Sequence, residues 1–117
     1  MRTRKQSPWG QVDYETNVAD GIVSVSTPSH GGYLLSKERA KAVYQRFPAF
    51  KTFCGDPLAF EEDQDWAAVA LTFPEFFSED AVEIAMRTAR QSMSFASPDS
   101  RWRCVVEWLD RRAALVG

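Results

Sequence analysis

The chain has 117 residues, 44% of them hydrophobic and 13% aromatic, enough for one ordinary core and too many for a disordered segment. A formal net charge of −2 argues against a protein held directly on nucleic acid by bulk charge. No apolar run approaches the roughly 18 residues of a membrane helix, and two Cys with one His cannot complete a structural zinc site.

Residues 1–7 are polar and read as a loose tail without the apolar centre of a secretory signal, so the expected compartment is the cytoplasm. Residues 8–117 are expected to form a single α+β domain, with Cys54 and Cys104 as buried thiols. From Gln11 onward, Val12, Tyr14, Thr16 and Val18 alternate with Asp13, Glu15 and Asn17, a period of two that predicts a half-buried strand. Asp20-Gly21 is a hairpin turn signal, because Gly tolerates positive φ. Ile22 to Thr27 is the β-branched second strand, and Pro28 stops it. After Gly31-Gly32 a short third strand follows at Tyr33-Leu34-Leu35. The economical reading is an N-terminal three-stranded antiparallel meander packed against three or four helices.

Ser36 is a good N-cap for a helix over 37–47, whose Ala40, Val43, Tyr44 and Phe47 share one face. Pro48 ends it, and residues 49–60 read as a loop that folds Phe50, Phe53 and Phe60 onto the core. Residues 65–73 fit a buried helix or a central strand; three alanines and the acidic lead-in favour the helix. Ser78 caps a helix over 79–93 with Val82, Ala85, Met86, Ala89 and Met93 on its apolar face. Ser97-Pro98 opens the last helix, over 98–116.

Two stretches invite chemistry. The loop Thr27-Pro28-Ser29-His30-Gly31-Gly32 holds the only histidine. His30 could act as a general base toward Ser29 or Thr27, with the Gly31 and Gly32 amides receiving an oxyanion. No G-x-S-x-G elbow supports this, so the plainer reading is a turn in which paired glycines supply the geometry. The second stretch is a run of nine acids without a Lys or Arg: Asp56, Glu61, Glu62, Asp63, Asp65, Glu75, Glu79, Asp80 and Glu83. It reads as a solvated helix start neutralised by neighbouring basic segments, or as a docking surface for a basic partner. Glu61, Glu62, Asp63, Asp65, Glu75, Glu79 and Asp80 are the candidates for that surface. The calcium-loop pattern and both phosphate-binding glycine motifs are missing, so no metal and no cofactor is expected. Of the four tryptophans, Trp66 and Trp102 read as core, while Trp9 reads as a surface contact or a pin for the first strand.

Three segments resemble an uncharacterised domain family of bacterial plasmid and phage proteins. They are Pro8-Trp9-Gly10, Val18 to Tyr33 with its Ser-His-Gly-Gly stretch, and Glu61 to Ala67 running on to Phe73-Pro74-Glu75-Phe76-Phe77. The resemblance spans residues 8 to 95, and members often carry Cys where this chain has Gln64. It implies no activity and therefore no catalytic residue; it implies a mobile-element accessory protein. The leading expectation is a non-enzymatic binding protein that docks through its acidic surface on a host protein complex, such as a defence complex. The alternatives are a small hydrolase centred on His30 with Ser29 or Thr27, and a structural domain that associates with its own copy as a homodimer.

Overall fold

Four antiparallel strands, paired in chain order, form the sheet on which the rest of the chain is built. In the computed structural model, residues 6–94 and 99–116 are described, leaving the side chains of Ser94 and Val116 aside. The expected start of the last helix at Ser97-Pro98 lies outside the described residues.

Before the sheet, β1 (Gln6–Ser7) and β2 (Gly10–Gln11) pair as a small hairpin, so the end of the expected tail is structured. The sheet itself consists of β3 (Tyr14–Ala19), β4 (Ile22–Ser26), β5 (Gly31–Leu35) and β6 (Ala59–Glu61). Asp20-Gly21 makes the β3–β4 turn, with Ala19 opposite Ile22 and Gly21 at φ +83°. A side chain at Gly21 would be strained at that φ and would also meet the Ser36 hydroxyl at 2.7 Å.

Two strand expectations are corrected. β3 is not half-buried: Tyr14 is 77% exposed and both faces stay in water as far as Asn17. It is the outer edge strand, paired on one side only, and its alternation therefore had no covered face to report. A fourth strand, β6, takes the last two residues of the expected loop and one beyond it, pairing Leu34 with Ala59, Tyr33 with Phe60 and Gly32 with Glu61. Three residues are too few to display a period of two.

The two faces of the sheet are covered differently. Ile22, Leu35 and Phe60 face the main core with the helices. α1 (Lys37–Arg46) contributes Ala40 and Val43 and is capped by Ser36, whose hydroxyl accepts from Arg39 N–H. α2 (Trp66–Thr72) is a helix, as the alanines favoured, and Ala67 to Thr72 are all buried. α3 (Glu79–Ser94) adds Ala85 and Ala89. The last helix begins with a 3-10 turn at Ser100–Trp102, capped by the Asp99 carboxylate, before α4 (Arg103–Val116). Trp102, Val105 and Leu109 complete this core; Trp66 is only half-buried. On the opposite face, Val23, Val25, Leu34 and Ala59 form a small second cluster beneath Trp9, Val12 and Cys54. Trp9 thus pins the N-terminal hairpin onto the sheet. Cys54 and Cys104 are free thiols, half-buried rather than buried.

Candidate functional site

The β5–β6 ladder brings the histidine loop and the first acidic turn to the same end of the sheet. Gly32 pairs with Glu61, and the Glu62 N–H donates to the Gly31 carbonyl at 2.9 Å. Residues some thirty positions apart thus become neighbours, joining the two most unusual stretches of the sequence.

Within the loop, Thr27 organises the turn. Its N–H donates to the His30 carbonyl at 2.7 Å, and its hydroxyl accepts from His30 N–H at 3.1 Å. The same hydroxyl reaches the carbonyls of His30 at 2.7 Å and Trp9 at 3.2 Å. Ser29 also turns its hydroxyl to the Trp9 carbonyl, at 3.4 Å. Pro28, Ser29 and His30 face water, and the His30 ring has no hydrogen-bond partner among the described residues. The arrangement expected of a His30 base with Ser29 or Thr27 is therefore not formed. Both hydroxyls are spent on backbone carbonyls, which holds the turn and the Trp9 hairpin together.

Gly31 and Gly32 require a second correction. Neither has positive φ, and both are residues of β5 rather than of the turn. Close approach is what demands glycine here. A Cβ at Gly32 would collide with the Phe60 carbonyl and come within 2.6 Å of Trp9 Cη2. At Gly31 it would meet the Val25 carbonyl at 2.7 Å and a Glu62 carboxylate oxygen at 3.1 Å. Both residues take places in the β ladder, Gly31 opposite Ser26 and Gly32 opposite Val25.

The acidic turn divides its charges between inside and outside. Glu61 is 8% exposed, and its carboxylate accepts the N–H groups of Asp63 at 2.8 Å, Gln64 at 2.8 Å and Asp65 at 3.0 Å. These amides would otherwise be orphaned at the entry to α2. Asp65 is 0% exposed and accepts from Phe53 N–H at 2.7 Å, with Arg101 Nη1 at 3.0 Å from its other oxygen. Gln64 bridges to the Ser92 hydroxyl at 3.2 Å. Glu61 and Asp65 therefore leave the expected docking surface, because each folds inward onto donors. Glu62 and Asp63 remain exposed.

Electrostatics follow this burial. Desolvation pushes the Asp65 carboxyl up to about 6; the Phe53 amide and Arg101 pull against that shift, and Glu61 adds to it. Burial also opposes the charge of Arg101, but Asp99 and Asp65 together hold its guanidinium above the ordinary range. Hydrogen bonds from Arg101 draw Asp99 below the usual carboxylate range. Arg101 was invisible as a site residue in the sequence, one arginine among many near the C-terminus.

Glu75, Glu79 and Asp80 are exposed but lie elsewhere. α2 and α3 pack together, and Gln64 before α2 meets Ser92 near the end of α3, so the two helices run antiparallel. At about 1.5 Å per helical residue, the start of α3 is then roughly 20 Å from the 61–65 turn. The acidic run thus splits into two patches at opposite ends of α3. Among the described residues, no cluster of His, Cys, Asp or Glu could hold a metal ion, and no helix is long and apolar enough to cross a membrane.

These features define an α+β domain whose distinctive loop and acidic turn meet at one sheet end, over a buried carboxylate network. The chain belongs to the family described as Domain of unknown function (DUF7007), whose model matches residues 2–111, a longer span than the resemblance over 8 to 95. No curated protein and no solved structure matches the chain.

Proposed function

We propose that this protein is a non-catalytic binding domain that docks a basic partner surface against the sheet end bearing His30, Glu62 and Asp63. The observation that carries this reading is the Glu62 N–H to Gly31 carbonyl bond, which joins two exposed polar stretches into one patch. The patch is held ready in advance. Glu61 fixes the acidic turn through three amides, and Thr27 fixes the loop, so little ordering entropy is lost on binding. Exposed carboxylates in a fixed geometry steer and orient a cationic partner more than they add raw affinity. In the plasmid and phage context of the resemblance, the partner is a host protein complex with a nucleic-acid-binding surface, and docking inhibits a defence system. Glu75, Glu79 and Asp80 lie outside this contact.

The test is affinity capture from host lysate with three forms of the chain, read by mass spectrometry. The Glu62→Lys/Asp63→Lys form is expected to lose the partner, while Glu79→Lys/Asp80→Lys retains it. Equal recovery with all three forms would remove the 61–65 turn from the contact.

A further inference from the structure

Arg101 joins three separate parts of the chain. Its Nε and Nη2 grip the Asp99 carboxylate at 2.7 to 3.1 Å. Its Nη1 donates to the Lys51 carbonyl at 2.7 Å and to Asp65 at 3.0 Å. The guanidinium also lies 5.6 Å from the ring centroids of both Phe50 and Phe53. Asp65 holds the same segment from beneath through the Phe53 amide. The Lys51 carbonyl and the Phe53 N–H are thus held by one cation and one carboxylate, while Thr52 between them is buried and donates its hydroxyl to the Asp56 carbonyl at 2.7 Å. Phe53 itself is 77% exposed and contributes little burial to keep the segment down.

The charge count at this junction is unbalanced. Arg101 pairs with two carboxylates, Asp65 and Asp99, and a third, Glu61, adjoins Asp65 and raises its proton affinity. Asp99 takes the bidentate grip, and Glu61 is fixed by backbone amides. Asp65 receives from Arg101 one bond from Nη1, the nitrogen that also serves the Lys51 carbonyl, and has no access to water. Tyr44 on α1 also feels the Asp65 charge, together with those of Asp56 and Cys54 on the 51–57 segment, and these three groups bring no cation. Lys51 contributes its carbonyl here, with its side chain exposed.

We propose that Asp65 and Arg101 form a proton-controlled latch on segment 51–53, firm when Asp65 carries a proton and released more often once Asp65 is ionised. A neutral Asp65 carboxyl still accepts the Phe53 amide through its carbonyl oxygen, while Arg101 keeps Asp99 and the Lys51 carbonyl. An ionised Asp65 gains by opening, because opening returns its charge to water. The sign follows from linkage: the closed form binds the proton more tightly than the open form, so rising pH favours opening. Burial that pushes the Asp65 carboxyl up to about 6 gives the same direction and sets the window between pH 4 and 7. The segment borders an apolar pocket of about 270 Å³ lined in part by Tyr44, Phe50, Thr52 and Pro57, so opening also changes access to that pocket.

Amide hydrogen exchange on the full chain tests this, with rates corrected for intrinsic exchange. The Phe53 amide is expected to be less protected than the Leu71 amide inside α2, and to lose about tenfold of its protection between pH 5 and pH 8. In Asp65→Asn that change is expected to vanish. Equal protection of Phe53 at both pH values would overturn the latch. So would Phe53 exchanging in step with Leu71, since the segment would then open only with the whole domain. If Asp65→Asn does not fold, the Asp65 carboxyl carbon is titrated by NMR in the unaltered chain. A midpoint near 6 upholds the latch, and a midpoint in the ordinary carboxylate range near 4 ends it.

Discussion

The turn at 61–65 places two carboxylates inside the protein and two outside, whereas Glu79 and Asp80 at the start of α3 both face water. In sequence the two regions look alike, as acids leading into a helix. Donors make the difference. Around the turn, three backbone amides, the Phe53 N–H and Arg101 all point at Glu61 or Asp65. At α3 the first turn is served by the Ser78 hydroxyl, which accepts from Ala81 N–H at 3.1 Å, so the acids there serve only the helix dipole. An acidic run therefore describes a surface only where no donor converges on it from elsewhere in the fold.

The contrast can be broken or sharpened by experiment. The largest expected effect is on pH dependence. Asp65 has a folded pKa above its unfolded value, so its contribution is fully present below about pH 4 and is lost as pH rises through about 6. Asp99, shifted the other way by Arg101, adds stability above the acid range and partly offsets this. Urea unfolding of the unaltered chain is expected to show up to about 3 kcal/mol less of the Asp65 contribution at pH 7 than at pH 4. Asp65→Asn should flatten that slope, and an unchanged slope would show that Asp65 is not the inward charge that matters.

A smaller effect, about 2 kcal/mol, is expected from Glu61→Ala, which strands three amides at the entry to α2. Chemical denaturation measures it, and Glu61→Gln should recover part of the loss because its amide oxygen can still accept. The smallest effect belongs to the outward region. Glu79→Gln with Asp80→Asn should shift the thermal midpoint by no more than a few tenths of a kcal/mol, the value of a solvated helix-dipole contact. A cost comparable to that of Glu61→Ala would erase the distinction between the two regions.

Much of the fold was legible in the residues themselves. Ile22 to Ser26 as a strand, Asp20-Gly21 as its turn, Ser36 as a cap and the apolar face of α3 all rest on patterns no more than a few residues long. Backbone sterics, one capping bond and side-chain periodicity act at that range, and they act in any context. The loop was legible as an unusual feature, and its exposure of His30 is compatible with the plainer turn reading. Its glycines were misread, because the Trp9 ring and the Phe60 carbonyl that exclude a Cβ come from distant segments.

By itself, then, the sequence determined an α+β domain, the order of its main elements and the two stretches worth inspecting. Only the tertiary structure decided that those stretches share one sheet end, that the acidic run divides into two patches, and that Glu61 and Asp65 are internal. The physical reason is range. A helix or a turn is specified by neighbours along the chain, whereas the fate of a carboxylate depends on which donors reach it. The guanidinium that reaches Asp65 belongs to a residue 36 positions further along the chain.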